Sequence, residues 1–139
     1  MIIPERLKKG DTIGVIAPAS PIIGDNIEEL EKARKKVEKE GFKVKYSKNL
    51  FSNTNGYSST AKEKAQDIND MFKDKEVKMI WCAKGGENSN STFEYIDYEL
   101  IKDNPKIICG YSDITSLTNI ITAKTGLVTF SGTNFKTIA

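Results

Sequence analysis

Lys106-Ile-Ile-Cys-Gly-Tyr-Ser-Asp-Ile-Thr-Ser-Leu117 is the stretch from which the rest of the chain can be read. Lys106–Cys109 is a short apolar run of strand character. Gly110-Tyr111-Ser112 then turns sharply, and from Asp113 onward the apolar residues recur at helical spacing. A serine at such a strand–turn–helix bend sits at the carboxyl edge of a sheet, where open α/β sheets bind ligands. The first turn of the helix beside it leaves backbone N–H groups free to meet negative charge. That is the logic of a nucleophile elbow. The Gly-x-Ser-x-Gly spelling is incomplete, because Ile114 stands where the second glycine would be. A Ser or Asp that merely caps a βα turn fits the same residues.

Working outward, strand and helix patterns alternate. Thr12–Ala17 is an apolar run closed by Pro18 and predicts a strand buried on both faces. Asp25-x-x-Glu28 has the form of a capping box. It opens a helix with Ile27, Leu30, Ala33 and Val37 on one side, a Glu31–Lys35 pair on the other, and Gly41 as its stop. Phe42–Tyr46 predicts the second strand, Ser47–Ser59 a polar loop over the sheet edge, and Thr60-x-x-Glu63 a second capped helix. Lys78–Ala83 predicts the third strand, and Gly85-Gly86-Glu87-Asn88-Ser89-Asn90 follows it directly. A short helix over Ser91–Tyr95 and a turn over Asp97–Ile101 lead to the Lys106 strand. The helix Asp113–Lys124 ends at Gly126, and Leu127–Phe130 predicts a fifth strand. Ser131–Ala139 has little periodicity and reads as cut rather than concluded. This order predicts one α/β domain over residues 1–139. It is three-layered, with a mostly parallel sheet and helices on both faces, of flavodoxin or Rossmann type. Right-handed crossovers bring the carboxyl ends of the strands to one edge, so the loops carrying Ser20, Gly85-Gly86 and Ser112 should converge.

With 139 residues, 38% of them hydrophobic, the chain can bury a core. Its net charge of +2 argues against a nucleic-acid partner. No apolar run approaches membrane-spanning length and the N-terminus has no leader-like apolar region, so a cytoplasmic location is expected. Cys82 and Cys109 lie in strand-like runs and read as core residues, not as a disulfide or a metal site. There is no histidine, so a Ser-His-Asp triad cannot be completed within these residues. Gly85-Gly86 permits close approach of backbone to a ligand and can form an anion-binding nest, though a structural turn is the commoner explanation of such a pair. It is not a dinucleotide fingerprint, and no Walker A sequence occurs.

Taken together, Leu7-x-x-Gly-Asp, Ala17-Pro-x-Ser20, Gly85-Gly-Glu-Asn-Ser-Asn90, Ile96-Asp-Tyr98, Asn104-Pro-Lys106, Gly110-Tyr-Ser-Asp-Ile-Thr115 and Thr125-Gly-Leu-Val-Thr-Phe130 resemble the LD-carboxypeptidase family of serine peptidases, in order and over essentially the whole chain. Asn88-Ser-Asn90 after the double glycine is similar to the microcin-immunity branch rather than the murein-recycling branch. Ser131-Gly-Thr133 departs from the aromatic-Gly-Pro of relatives. The resemblance implies that Ser112 is the nucleophile, with the N–H groups of Asp113 and of Gly85 and Gly86 as the oxyanion hole. Ser20, Glu87, Asn88 and Ser89 are the candidate substrate contacts. It further implies a C-terminal domain, outside these residues, that supplies Glu and His, and substrates that are murein peptides or peptidyl-nucleotides. No metal or cofactor is expected. A non-catalytic α/β module binding a peptide or nucleotide is the alternative. Surface left bare by the missing domain would favour a homodimer.

Overall fold

Five parallel strands, β1 (Thr12–Ile16), β2 (Lys43–Tyr46), β3 (Val77–Cys82), β4 (Ile107–Gly110) and β5 (Phe130–Ser131), stand in the order β2-β1-β3-β4-β5. The computed structural model describes all residues, Met1–Ala139. Four helices connect the strands: α1 (Asp25–Lys39), α2 (Ala61–Lys73), α3 (Tyr98–Asp103) and α4 (Ile114–Thr125). Strand side chains alternate between two cores, as the two-residue period of a strand requires. Ile13 and Val15 of β1 and Met79 of β3 pack with Leu30, Ala33 and Val37 of α1. Ile16, Ile80, Cys82 and Ile108 point the other way, onto Ala65, Ile68 and Phe72 of α2, Ile101 of α3, and Leu117 and Ile121 of α4. The expected three-layer α/β architecture is therefore present. No helix is long and apolar enough to cross a membrane.

The topology positions the site. After β1 the chain leaves toward the α1 face, whereas after β3, the neighbouring strand, it leaves toward the face of α2, α3 and α4. Two adjacent strands whose exits diverge open a crevice at their carboxyl ends, the usual ligand position in a doubly wound sheet.

Local differences from the sequence reading have local causes. The Thr60 capping box forms: the Thr60 side chain accepts from Glu63 N–H and the Glu63 side chain from Thr60 N–H. The Asp25 box does not, because Gly24 (φ 57°) takes the cap position and Asp25 becomes the first helical residue. Ile27 is exposed instead of inward. Glu31 pairs with Arg34 and accepts from Tyr46 Oη, not with Lys35. The fifth strand lies later than Leu127–Phe130. Leu127 forms an isolated bridge to Ile2, and the ladder with β4 begins only at Phe130. The supposedly featureless tail holds a 3₁₀ turn, Phe135–Ile138, whose Phe135 is buried edge-on against Trp81, ring centroids 5.4 Å apart. The Ser47–Ser59 loop is tied to β1 by Ser58 Oγ donating to Ala17 O.

Lys106 is an unexpected buried cation. Its ammonium donates to Met71 O and Asp74 O and so caps the last carbonyls of α2, where a positive charge suits the helix dipole. Burial pushes its pKa from 10.5 down to about 8; Asp74 opposes this, and the nearby Lys78 and Lys75 add to it. Between those two values the unfolded chain holds a proton that the folded chain has released, so the cost of burying the Lys106 charge is relieved as pH rises. Thermal unfolding from pH 7.5 to 9 should therefore show the wild type gaining on Lys106→Met as pH increases. A constant difference between the two would contradict this coupling.

Candidate active site

Ser112 is exposed at the bend between β4 and α4 and adopts a left-handed backbone, φ 64°. For a non-glycine residue this costs of order 1–3 kcal/mol and persists only where the surroundings impose it. The same bend begins at Gly110, where there is no room for a side chain. A Cβ at Gly110 would stand 2.5 Å from Ile114 Cγ2, 3.0 Å from Asn134 Oδ1 and 3.1 Å from Cys82 Cβ, so the chain turns with no space to spare. The Ser112 hydroxyl hydrogen-bonds to no other residue.

The loop after β3 lies directly against this serine. A Cβ at Gly85 would be 3.3 Å from Ser112 Cβ and 3.5 Å from Ser112 Oγ. Gly86 (φ 134°) has Ser20 on its other side, where a Cβ would be 1.7 Å from Ser20 Oγ. Ser20 N–H donates to Gly85 O at 3.4 Å. The structure thus brings Ser20, Gly85, Gly86 and Ser112 together at one edge. The N–H groups of Asp113, Gly85 and Gly86 have no acceptor within the chain.

Asp113 precedes α4, but its side chain makes no cap hydrogen bond. Its carboxylate instead accepts from Ser89 N–H at 2.9 Å, and its carbonyl accepts from Ser89 Oγ at 2.8 Å and from Ser116 Oγ at 2.9 Å. The simple capping reading is therefore not realised, and the side chain is spent on joining the two loops. Ser89, expected among the substrate contacts, is fully buried in this clamp. Glu87 and Asn88 remain exposed. Asn88 adopts φ 69° and ends the loop by accepting from Ser91 N–H.

Two further residues belong to the neighbourhood. Lys64 of α2 is buried; burial lowers its pKa, and the Asp113 carboxylate pulls it back up. Its signal in the sequence was a lysine four residues before Ile68, on the apolar face of the helix. Asn134 is buried, and its Oδ1 accepts from Tyr111 N–H at 3.2 Å. It lies in the tail that lacks periodicity, so no pattern marked it. No three acidic, thiol or imidazole groups gather as a metal cage would require.

The fold and the site define a class: an all-parallel α/β domain presenting a serine on a tight strand–turn–helix bend against a double-glycine loop. Residues 13–132 match the family model described as the LD-carboxypeptidase N-terminal domain, and the chain belongs to that peptidase family. A Bacillus subtilis relative, named "Probable murein peptide carboxypeptidase", is 45% identical over 130 residues, which is 93% of this chain and 40% of the relative. The crystal structure of an MccF-like protein from Bacillus anthracis matches with TM-score 0.93 and 42% identity, over 99% of this chain and 42% of that one. The microcin C7 self-immunity protein MccF in complex with aspartyl sulfamoyl adenosine matches with TM-score 0.89 and 36% identity, over 93% and 38%. The chain spans about 40% of the length of the curated relatives it matches.

Two stability effects follow from this geometry. Ser112→Gly should raise stability by about 0.5–1 kcal/mol, since relief of the left-handed strain exceeds the added chain entropy; unchanged or lower stability in denaturant titration would contradict the strain. Gly86→Ala should cost about 1–3 kcal/mol by overpacking against Ser20. Ser20→Gly should recover part of that loss in a double-mutant cycle, and strict additivity would show that the two loops are uncoupled.

Proposed function

We propose that this chain is the nucleophile-bearing part of a serine-type amide hydrolase. The observation that carries the reading is Ser112 Oγ, unengaged and exposed, set on a strained bend against the Gly85 backbone. Ser112 Oγ attacks the carbonyl carbon of a scissile amide. Its proton passes to a general base that lies outside these residues, since no histidine is present among them. The developing oxyanion is received by the N–H groups of Asp113 and of the Gly85-Gly86 turn, which are free for it. Each such donor is worth about 3 kcal/mol of barrier. The tetrahedral intermediate expels the amine, which takes up the proton, and water then releases the acyl group as a carboxylate.

The favoured substrate class is a peptidyl-nucleotide, supported by the Asn88-Ser89-Asn90 loop and by the likeness to MccF, whose solved complex holds aspartyl sulfamoyl adenosine. A murein peptide ending in a D-amino acid is the second class, supported by the murein peptide carboxypeptidase relative. Ser20, half-buried after β1, and Glu87 and Asn88, exposed after β3, take the substrate-contact roles; Ser89 acts behind them by holding Asp113. The glutamate and histidine come from a further domain, the protein acts in the cytoplasm, and it associates as a homodimer.

The test is hydrolysis of a peptidyl-nucleotide and of a murein tetrapeptide by the complete gene product and by its Ser112→Ala variant. The variant should lose at least about 10⁴-fold in kcat at unchanged fold, and residues 1–139 alone should show negligible turnover. Full activity in Ser112→Ala would remove the nucleophile assignment.

A further inference from the structure

Asn134 reaches both halves of the site from the segment after β5. Its segment is held rigidly: Trp81 Nε1 donates to Thr133 O at 2.7 Å, Gly132 N–H to Gly110 O at 3.2 Å and Lys136 N–H to Ala83 O at 3.0 Å, while Phe135 is fully buried beside Trp81. Asn134 as a whole is 4% exposed. A backbone N–H can be met only by the oxygen of a carboxamide, so the bond from Tyr111 fixes Oδ1 toward the serine bend. Nδ2 then faces the other loop, where a Cβ at Gly85 would lie 3.6 Å from it, on the same glycine that touches Ser112 Oγ. Nδ2 donates to no protein acceptor.

We infer that Asn134 is a positioning residue for Ser112: its carboxamide fixes the spacing between the serine bend and the oxyanion loop and places a donor, not an acceptor, beside Gly85. The inference rests on the reading of Ser112 as nucleophile. It has a chemical basis beyond filling space. An aliphatic side chain would leave Tyr111 N–H without its partner. A carboxylate would keep that partner but would set negative charge against the loop that receives the oxyanion.

The test uses the complete gene product with the peptidyl-nucleotide substrate, and Asn134→Asp as the nearly isosteric variant. Near pH 8, kcat should fall roughly 100-fold, as for a misplaced reacting group, with KM within about threefold, which marks an interaction that matters in the transition state. The ratio of variant to wild-type kcat should recover as pH falls toward 5, because the protonated acid regains a donor; a merely structural role has no such recovery. A ratio independent of pH, an unchanged kcat, or a loss confined to KM would overturn the inference. Should Asn134→Asp fail to fold, Asn134→Ser, which leaves nothing against Gly85, should show the same fall in kcat at constant KM; wild-type kcat would overturn it. Ser112→Ala in the same preparation separates the two ideas. If it stays active, the nucleophile reading fails and this inference fails with it. If it is inactive while Asn134→Asp behaves as wild type, only the present inference fails.

Discussion

The absence of space at Gly110 is the constraint on which the arrangement depends. Ile114, Asn134 and Cys82 crowd the place where a side chain would begin. β4 stops there, the chain bends through Tyr111 and Ser112, and α4 starts at Ile114; Thr115 and Ser116 N–H close back onto Ser112 O and Asp113 O, while Asp113 N–H has no acceptor within the chain. Ile114 secures both sides of the bend, because the same residue that crowds Gly110 is fully buried in the core beneath α4. Hydrophobic packing thus lies directly beneath the bend that carries an exposed hydroxyl. The strain at Ser112 is offset by packing a few residues away, as is usual where a functional group is held in a sparsely populated backbone region.

Polar groups around the bend are divided between holding and presenting. Asp113 turns its carboxylate away from the crevice and onto Ser89, which also bonds Ser116, so three side chains join the start of α4 to the loop after β3. The Asp113 N–H is left on the open side. Lys64, buried on α2, lies close enough for the Asp113 charge to oppose the effect of its burial. The Asp113 carboxylate is thereby faced by a cation from the core side, and its charge is partly offset there.

The sheet, its helices and the edge at which Ser20, Gly85 and Ser112 meet were legible because each rests on a short-range pattern. Apolar runs ended by Pro18 or Gly110, and the Thr60–Glu63 pair, state their local structure directly. What was not legible depended on partners distant in sequence. Asp25 and Glu28 have the spelling of a capping box, but Gly24 takes the cap position first. Ser89 looked like a loop residue available to a ligand, and only the approach of Asp113 shows it buried. Asn134 carried no signal, since its meaning comes from Tyr111 and Gly85, both reached through the fold. The fifth strand was misplaced for a related reason: Leu127 has strand character but is taken by Ile2 at the opposite end of the chain.

Ser20, Gly85, Ser112 and Asn134 come from four separate connections and are neighbours only across the sheet. Each contact among them closes a long loop, and closing long loops is the entropically slow part of forming a parallel sheet. No fragment of the chain contains a partial version of the arrangement that could act by itself. During synthesis the serine bend is made well before Asn134, and the contact between Tyr111 and Asn134 closes only after β5 has emerged to join the sheet. The meeting of these four connections is therefore among the last events in building the sheet.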